Sequence, residues 1–175
     1  MKRNRTGKTL NATAPGTRYW LMKSEPNVFS IDDLQKKKSE PWDGVRNYQA
    51  RNFMKEMQVG DKVLFYHSNA KPRPGVAGTA TVCKAAYPDH TALDSKSKYY
   101  HPKHTKENPI WYMVDVKYDV KFAQVQELDD LRKKDELSGM MLFTHQRLSV
   151  QSCSKDEFDF VVKLGTAKAA KAAKA

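Results

Sequence analysis

The sequence predicts an α+β domain, a small and partly closed β-barrel of about five to six strands with short helices on its outside. The predicted elements follow the order strand, helices, three strands, helix, strand, helix. This order lacks the regular alternation of strands and helices that a doubly wound sheet requires. Its strand segments are rich in β-branched and aromatic residues, which favour strands over helices. A small barrel therefore fits the pattern better than an open parallel sheet.

The first two predicted elements lie between residues 19 and 34. Tyr19–Met22 is an apolar run that predicts a buried strand, and the strand ends at the Ser-Glu-Pro sequence at 24–26. A helix is predicted to begin after Ser30, because this serine can cap a helix and Asp33 then stands at the third helical position.

The middle of the chain predicts one more helix and then three strands. The helix begins near Asn47 and ends before a turn at Val59-Gly60-Asp61. The long segment between Val82 and Ile110 shows no obvious element, and loops of this length inside a domain are usually functional or disordered. The three strand segments are 62–67, 75–82 and 111–118.

The last part of the chain predicts a helix, a strand and a final helix. The first helix covers Leu128–Lys134 and the strand covers Leu148–Gln151. Ser154 and Glu157 form a capping box at the start of the final helix. Gly165 stands where the end of a helix favours a left-handed residue.

The positive charge of the chain lies mostly at its two ends. The net charge is +11, and residues 1–19 and 163–175 carry nine basic residues and no acid, which leaves +2 for residues 20–162. We expect residues 1–18 to be a disordered basic tail, 19–165 to be one domain, and 166–175 to be a basic low-complexity tail. Such tails attract phosphate without discriminating sequence, although they also serve as solubilising ends.

Several classes of protein are excluded or disfavoured by the sequence. No segment approaches the roughly 20 apolar residues of a membrane span, and the basic N-terminal end lacks the apolar run of a secretory signal. Cys83 and Cys153 have no CxxC spacing, which fits a reducing compartment. His101 and His104, with Asp89 and His90 upstream, have loose spacing and no thiolate partners, so we expect no metal site.

Enzymatic activity is also not expected. The chain contains no GxSxG, P-loop, HExxH or GxGxxG motif. Ser24, next to Lys23, and His67 offer a conceivable nucleophile and base, but their positions in sequence do not establish the mutual geometry that catalysis requires. We expect neither a catalytic residue nor a cofactor.

Three segments are polar and aromatic where core building does not require it. They are WLMKSEP at 20–26, WDGVRNYQARN at 42–52 and FYHSN at 65–69. Together with the sequences at 75–82, 86–91, 108–118 and 142–161, they closely resemble the EVE domain family and, within it, the thymocyte nuclear protein group. The resemblance covers residues 19–164. It implies a PUA-like fold that binds modified bases, with 5-methylcytosine and its oxidised forms as the proposed ligands in DNA.

A base-binding pocket requires aromatic rings for stacking and polar groups for the Watson–Crick edge. Trp42 is the first choice for an aromatic wall, because it precedes Asp43-Gly44 in a turn, although a core tryptophan is the alternative. On this interpretation, replacement of Trp42 by alanine abolishes binding and leaves the fold intact. The other residues assigned to the pocket are Lys23, Ser24, Glu25, Tyr48, His67, Ser68 and Asn69.

Some of these polar residues have structural explanations as well. Ser24 can be a turn residue that bonds its own backbone, and His67 can be structural. Arg46 and Arg51 are assigned to phosphate contacts, and local ion pairs are the alternative.

Modified DNA is therefore the expected partner. The alternative functions are an RNA-binding module, a nucleotide-processing enzyme and a protein-interaction adaptor. We expect a monomer without membrane contact. The basic N-terminal end favours the nucleus, with an organelle address as the alternative.

Overall fold

A computed structural model describes residues 16–168 and contains one six-stranded mixed sheet with five α-helices. This architecture confirms the predicted α+β class. Two short 3₁₀ turns, His90–Ala92 and Asp135–Leu137, complete the elements. The strands are β1 (Tyr19–Ser24), β2 (Ser39–Pro41), β3 (Lys62–His67), β4 (Gly75–Pro88), β5 (Tyr112–Glu127) and β6 (Val150–Cys153), and the helices are α1 (Ile31–Lys37), α2 (Tyr48–Glu56), α3 (Leu128–Leu131), α4 (Met141–Thr144) and α5 (Lys155–Thr166).

The sheet is open, which corrects the expectation of a partly closed barrel. The strands follow the order β2-β5-β4-β3-β1-β6, and the edge strands β2 and β6 do not pair with each other within residues 16–168. Strand β1 runs parallel to β3, and the other pairings are antiparallel. Register shifts interrupt the long β4–β5 ladder at several points. Such bulges bend and twist a ladder, so the sheet curves without closing.

Helices cover both faces of this sheet, and this arrangement explains why a barrel does not form. In β1, Trp20 and Met22 belong to one apolar cluster with α1 and α2, whereas Leu21 belongs to a second cluster with α3 and α5. A strand that is buried on both faces shows a continuous apolar run rather than alternation. The run at the start of the domain therefore predicted a buried strand correctly but carried no information about closure.

Three of the four predicted helix starts are confirmed by their caps, and α3 begins at Leu128 without a side-chain cap. Ser30 and Asp33 form a reciprocal capping box at α1, and Ser154 and Glu157 form the same motif at α5. The side chain of Asn47 accepts a hydrogen bond from the backbone N–H of Ala50 at the start of α2. These local motifs are determined by residues three apart in sequence, which is why they could be recognised without the fold.

Other boundaries differ from the predictions. β4 continues to Pro88, so the segment after Val82 begins as strand, and the short strand β2 had no signal in the sequence. Helix α3 ends at Leu131, well before the predicted end at Lys134, and β6 begins two residues later than predicted, at Val150.

Gly165 was predicted to end the final helix in a left-handed conformation, and this prediction is wrong. The residue lies inside α5, and its φ is not positive. A Cβ atom at this position would lie 2.3 Å from the ring atom Cδ2 of Phe122, whose side chain is buried. The glycine therefore allows α5 to approach β5 closely.

Replacing Gly165 with alanine is expected to lower the free energy of unfolding by about 1–2 kcal/mol, because overpacking in an enclosed site outweighs the better helix propensity of alanine. Urea unfolding measures the change. Gly139→Ala is the matched control, because a Cβ atom there meets nothing within 4 Å. Equal stability of the two variants would contradict the packing role.

None of the helices in the described part of the chain is long and apolar enough to cross a membrane. The sequence predicts basic tails at residues 1–18 and 166–175. Most of both tails, residues 1–15 and 169–175, lies outside the described residues.

Candidate functional site

A cavity of about 520 Å³ opens between the end of β1 and the loop that leads into α2. Its volume falls within the range of small-molecule and base-sized binding sites. Two of the three polar and aromatic segments of the sequence meet here, because β1 and the 41–46 loop are brought to the same side of the sheet. The lining residues are Lys23, Ser24, Glu25, Val28, Phe29, Lys37, Glu40, Pro41, Trp42, Asp43, Gly44, Val45, Arg46, Lys98, Tyr99 and Ser149.

Trp42 lines this cavity and is also part of the apolar core. Its side chain is only 8% exposed, and its ring meets the Phe65 ring edge-on at a centroid distance of 5.4 Å. Its backbone N–H donates to the carbonyl oxygen of Val114 at 2.7 Å, which anchors the loop to β5. The two interpretations of Trp42 left open by the sequence are thus compatible.

Tyr99, like Phe29, is an aromatic lining residue that the sequence motifs did not indicate. Its ring lies against Gly44, where φ is +76° and where a Cβ atom would lie 2.6 Å from the Tyr99 Cζ atom. The Arg46 guanidinium lies 5.4 Å from the centre of the same ring. The only available signal was the length of the segment after Val82, which marked a region but no residue.

Asp89 connects the Trp42 loop to the segment that carries Tyr99. Its carboxylate is fully buried and accepts hydrogen bonds from the backbone N–H of Gly44 at 2.8 Å, from Arg46 Nη1 at 2.9 Å, and from both the amide and the hydroxyl of Thr91. Burial acts to raise the pKa of Asp89, but these donors together outweigh burial and hold the pKa below its ordinary value. Asp89 thus stays charged and fixes one wall of the cavity.

The two arginines assigned to phosphate contact have internal partners. Arg46 bonds Asp89 and donates twice to the backbone carbonyl oxygen of Tyr99, at 3.1 and 2.8 Å. Arg51 lies outside the cavity, donates to the carbonyl oxygen of Ile110 at 3.0 Å, and stacks over the Tyr48 ring at 4.9 Å. These contacts give Arg46 a positioning role in the cavity wall, and phosphate contact stays a prediction for both.

Three consecutive polar residues at and just after the end of β1 line the cavity, and their contact with a base stays a prediction. Lys23 Nζ donates to the carbonyl oxygen of Gln146 at 2.9 Å, and partial burial lowers the pKa of this amine. Ser24 Oγ donates to the carbonyl oxygen of Phe29 at 2.6 Å, which closes the turn before α1. Glu25 is exposed at the rim.

Asp43 is a further lining residue that the sequence analysis did not select. Loss of solvent and the nearby charge of Asp89 raise the pKa of its carboxyl group. Carboxylates accept hydrogen bonds from the exocyclic amine of cytosine. Asp43, Glu25 and Glu40 therefore supply carboxylate acceptors around a cavity that also offers aromatic rings and amine donors.

The other residues assigned to the pocket do not line this cavity. Tyr48 is 58% exposed and stacks on Trp111 at a centroid distance of 4.9 Å. His67 Nε2 accepts a hydrogen bond from the backbone N–H of Ile31 at 3.1 Å, so the structural interpretation of this histidine applies. Ser68 and Asn69 line a neighbouring cavity instead.

The two histidines considered as metal ligands pack near Trp111. His104 Nδ1 accepts from the backbone N–H groups of Ile110 and Trp111, both at 3.1 Å, and the His101 ring meets the Trp111 ring edge-on at 5.9 Å. Across residues 16–168, no group of three His, Cys, Asp or Glu side chains is arranged to hold a metal ion.

Acid is expected to destabilise the fold through His104. Its side chain is buried, burial lowers the pKa of its imidazole despite the opposing charge of Asp89, and Nδ1 must be unprotonated to accept its two bonds. The folded state thus binds fewer protons than the unfolded state, so this contribution is complete above the unfolded pKa of about 6.5 and is lost as pH falls below it, by up to about 1.4 kcal/mol per pH unit. Urea unfolding between pH 8 and 5 measures the effect.

His104→Asn is the matched variant for this experiment, because an amide oxygen can accept the same bonds without titrating. We expect its stability to vary less with pH than that of the wild type. His67 contributes with the same sign in both proteins, because burial also lowers its pKa. Identical pH profiles would contradict the role of His104.

The open sheet and the cavity define a small α+β binding domain, whose aromatic walls and mixed polar rim suit a planar ring with hydrogen-bonding edges. The chain belongs to the EVE domain family, whose model matches residues 18–164. This match confirms the resemblance found in the sequence.

Several relatives share most of the chain. Human thymocyte nuclear protein 1 is 42% identical over 179 residues, covering 91% of this chain and 79% of the human protein. A hypothetical protein from Leishmania major has a similar structure, with 56% identity, a TM-score of 0.82, and coverage of 85% of this chain and 94% of that one. The structure of human THYN1 in complex with DNA containing 5-methylcytosine is also similar, with 42% identity and a TM-score of 0.81. The match covers 87% of this chain and 100% of that one.

Proposed function

We propose that this domain is a non-catalytic reader of modified bases in DNA, with 5-methylcytosine or its oxidised derivatives as ligands. The observation that carries the proposal is the 520 Å³ cavity walled by Trp42 and Tyr99. The human relative whose structure contains 5-methylcytosine DNA supports the choice of ligand. The proposal includes kinship with PUA-like folds, supported by membership of the EVE family.

The energetics favour a pocket of this kind. A base must leave the stack to enter the cavity, which costs a few kcal/mol, and stacking on aromatic rings recovers roughly 1–3 kcal/mol per base. Trp42 and Tyr99 supply the rings. Asp43 and Glu25 accept from an exocyclic amine, and Lys23 donates to a carbonyl oxygen of the base.

The absence of catalysis is part of the proposal and has support in the local geometry. The Ser24 hydroxyl donates to the Phe29 carbonyl oxygen, and His67 Nε2 is occupied by the Ile31 amide. A serine nucleophile requires a hydrogen-bonded base, and neither group has the other as its hydrogen-bond partner. We also propose a nuclear location, which the names of the relatives support.

The test compares binding of the wild-type protein to matched oligonucleotides with and without 5-methylcytosine, by fluorescence anisotropy at several salt concentrations. We expect tighter binding of the modified DNA at every salt concentration. Matched RNA probes provide the comparison with the alternative partner. Equal affinity for modified and plain DNA, with a strong salt dependence, would reduce the interaction to non-specific phosphate contact.

A further inference from the structure

A second cavity of about 240 Å³ lies beside the first and is surrounded by hydrogen-bond donors. Two of its lining side chains are cationic, and no lining side chain is a carboxylate. Anion sites in proteins combine positive charge with hydrogen-bond donors, and side chains of both kinds line this cavity. Its polar lining residues are Lys23, Tyr66, Ser68, Asn69, Arg132 and Gln146.

Tyr66 contributes a hydroxyl group to this cavity. The residue as a whole is only 4% exposed, and its hydroxyl makes no hydrogen bond to any residue between 16 and 168. The hydroxyl oxygen itself is accessible to solvent and therefore opens onto the cavity. Burial of the ring raises the pKa of Tyr66 to about 12, partly offset by the charge of Arg132, so the phenol keeps its proton at neutral pH. A hydroxyl that opens into a cavity without a protein partner can donate to an acceptor atom bound there.

Arg132 is free of carboxylate partners in the described part of the chain. It is exposed, follows directly after α3, and holds its guanidinium 5.5 Å from the centre of the Phe143 ring. The neighbouring Lys133 differs, because it is paired with Asp130 at 3.3 Å and does not line the cavity. The charge of Arg132 is thus held in place by an aromatic ring rather than neutralised.

The two cavities are neighbours that share one wall. Lys23 lines both of them, and its ammonium group lies 5.7 Å from the centre of the Tyr66 ring. Asn69 of the second cavity donates to Glu25 of the first at 2.9 Å. A ligand in the first cavity that carries a negative group on one side can therefore reach the second past Lys23.

We propose that this second cavity binds a phosphodiester flanking the base that occupies the first cavity, with Arg132, Lys23 and the Tyr66 hydroxyl as its contacts. The inference rests on the proposed base-reading function and adds how the DNA strand is positioned relative to the pocket. A phosphate bound beside the pocket fixes which nucleotide is presented to Trp42 and Tyr99, because phosphate contacts position a strand and base contacts specify it.

The experiment combines a neutral-linkage scan with Arg132→Ala. One methylphosphonate at a time replaces each phosphate near 5-methylcytosine, and affinity is measured for wild type and variant. We expect neutralisation of one flanking phosphate to lower the affinity of the wild type about tenfold. The same neutralisation should change the affinity of Arg132→Ala little, because in the variant this phosphate has already lost its arginine partner. The variant should also reduce the salt slope by about one for DNA with natural linkages.

Two further variants separate the site from general charge. Lys133→Ala removes the same charge one residue away and should keep the wild-type linkage profile. Tyr66→Phe removes only the hydroxyl and should weaken binding of the natural strand severalfold without altering the far-ultraviolet circular dichroism. The inference is overturned when Arg132→Ala and Lys133→Ala behave alike, or when the sensitive linkage stays equally sensitive in Arg132→Ala.

The ratio of affinities for modified and plain DNA distinguishes this inference from the proposed function. A preference for modified DNA without coupling between Arg132 and one linkage supports base reading and refutes the phosphate site. Coupling without any preference supports the phosphate site and refutes the reading of the modification.

Discussion

Replacing Asp89 with asparagine is expected to lower the free energy of unfolding by about 3–5 kcal/mol, the loss associated with breaking a buried charge pair. The substitution removes the charge that faces Arg46 and turns one acceptor oxygen into a donor. The NH2 group of the amide would then oppose either the N–H of Gly44, which bonds Oδ2, or the N–H of Thr91, which bonds Oδ1. The Arg46 side chain, only 20% exposed, would be left without its counterion.

Urea unfolding at pH 7 measures this loss, and Asp94→Asn is the matched control, because Asp94 is exposed and bonds only the backbone amide of Lys96 in the described structure. The pH dependence provides a second readout. The folded pKa of Asp89 is depressed, so its contribution is complete above the unfolded pKa of about 3.9 and is lost as pH falls through the folded value. The difference between wild type and Asp89→Asn should therefore shrink in acid. A loss below about 1 kcal/mol, or no larger than that of Asp94→Asn, would contradict the proposed importance of this carboxylate.

The parts of the fold that could be predicted depend on neighbours in the sequence. The capping residues Ser30, Asn47 and Ser154 each act on an amide three positions away, so their function is visible without the tertiary structure. The buried strand at β1 was likewise visible as an apolar run. Closure of the sheet was not visible, because a strand covered by helices on both faces and a strand inside a barrel can share the same pattern.

The candidate site could be predicted only where one segment carries several of its residues. Lys23, Ser24 and Trp42 lie in conspicuous polar and aromatic segments, and the structure places them around one cavity. Tyr99 and Asp89 lie in a segment without a motif, and their contacts with Gly44 and Arg46 join residues more than 40 positions apart. Such contacts exist only once the chain has folded.

Two residues of the same conspicuous segments were assigned to the pocket but do not line the cavity. Tyr48 and His67 belong to the same conspicuous segments, but helix α2 directs the first onto Trp111, and the second accepts from the start of α1. A motif identifies a region of the chain, and the side-chain directions within a helix or strand decide which of its residues reach the site.

Trp42 is a poor choice for testing the pocket by truncation. Because its ring is almost fully buried against Phe65, replacement by alanine is expected to cost about 3–5 kcal/mol of stability as well as binding. The expectation that the fold tolerates this change unharmed therefore needs revision, and loss of binding in that variant would not identify the ligand site. Tyr99 is the sharper target, because its ring lines the cavity without being fully buried.

Replacing Tyr99 with alanine is expected to reduce affinity for DNA containing 5-methylcytosine by about 10- to 100-fold, the equivalent of one lost stacking partner at roughly 1–3 kcal/mol. Affinity for plain DNA should fall much less, so the preference for the modified base is lost. Tyr99→Phe keeps the ring and should retain most of the affinity. Fluorescence anisotropy at fixed salt measures all three proteins.

Tyr100→Ala is the matched control for this prediction, because Tyr100 is the next residue, is 45% exposed and does not line the cavity. It should bind like the wild type. Equal effects of Tyr99→Ala and Tyr100→Ala would mean that the segment acts through its general shape rather than by stacking. Full retention of the preference in Tyr99→Ala, with the fold confirmed by circular dichroism, would show that Tyr99 does not stack on the base and would leave Trp42 and Phe29 as the aromatic lining. The comparison thus decides whether the Tyr99 ring holds the modified base.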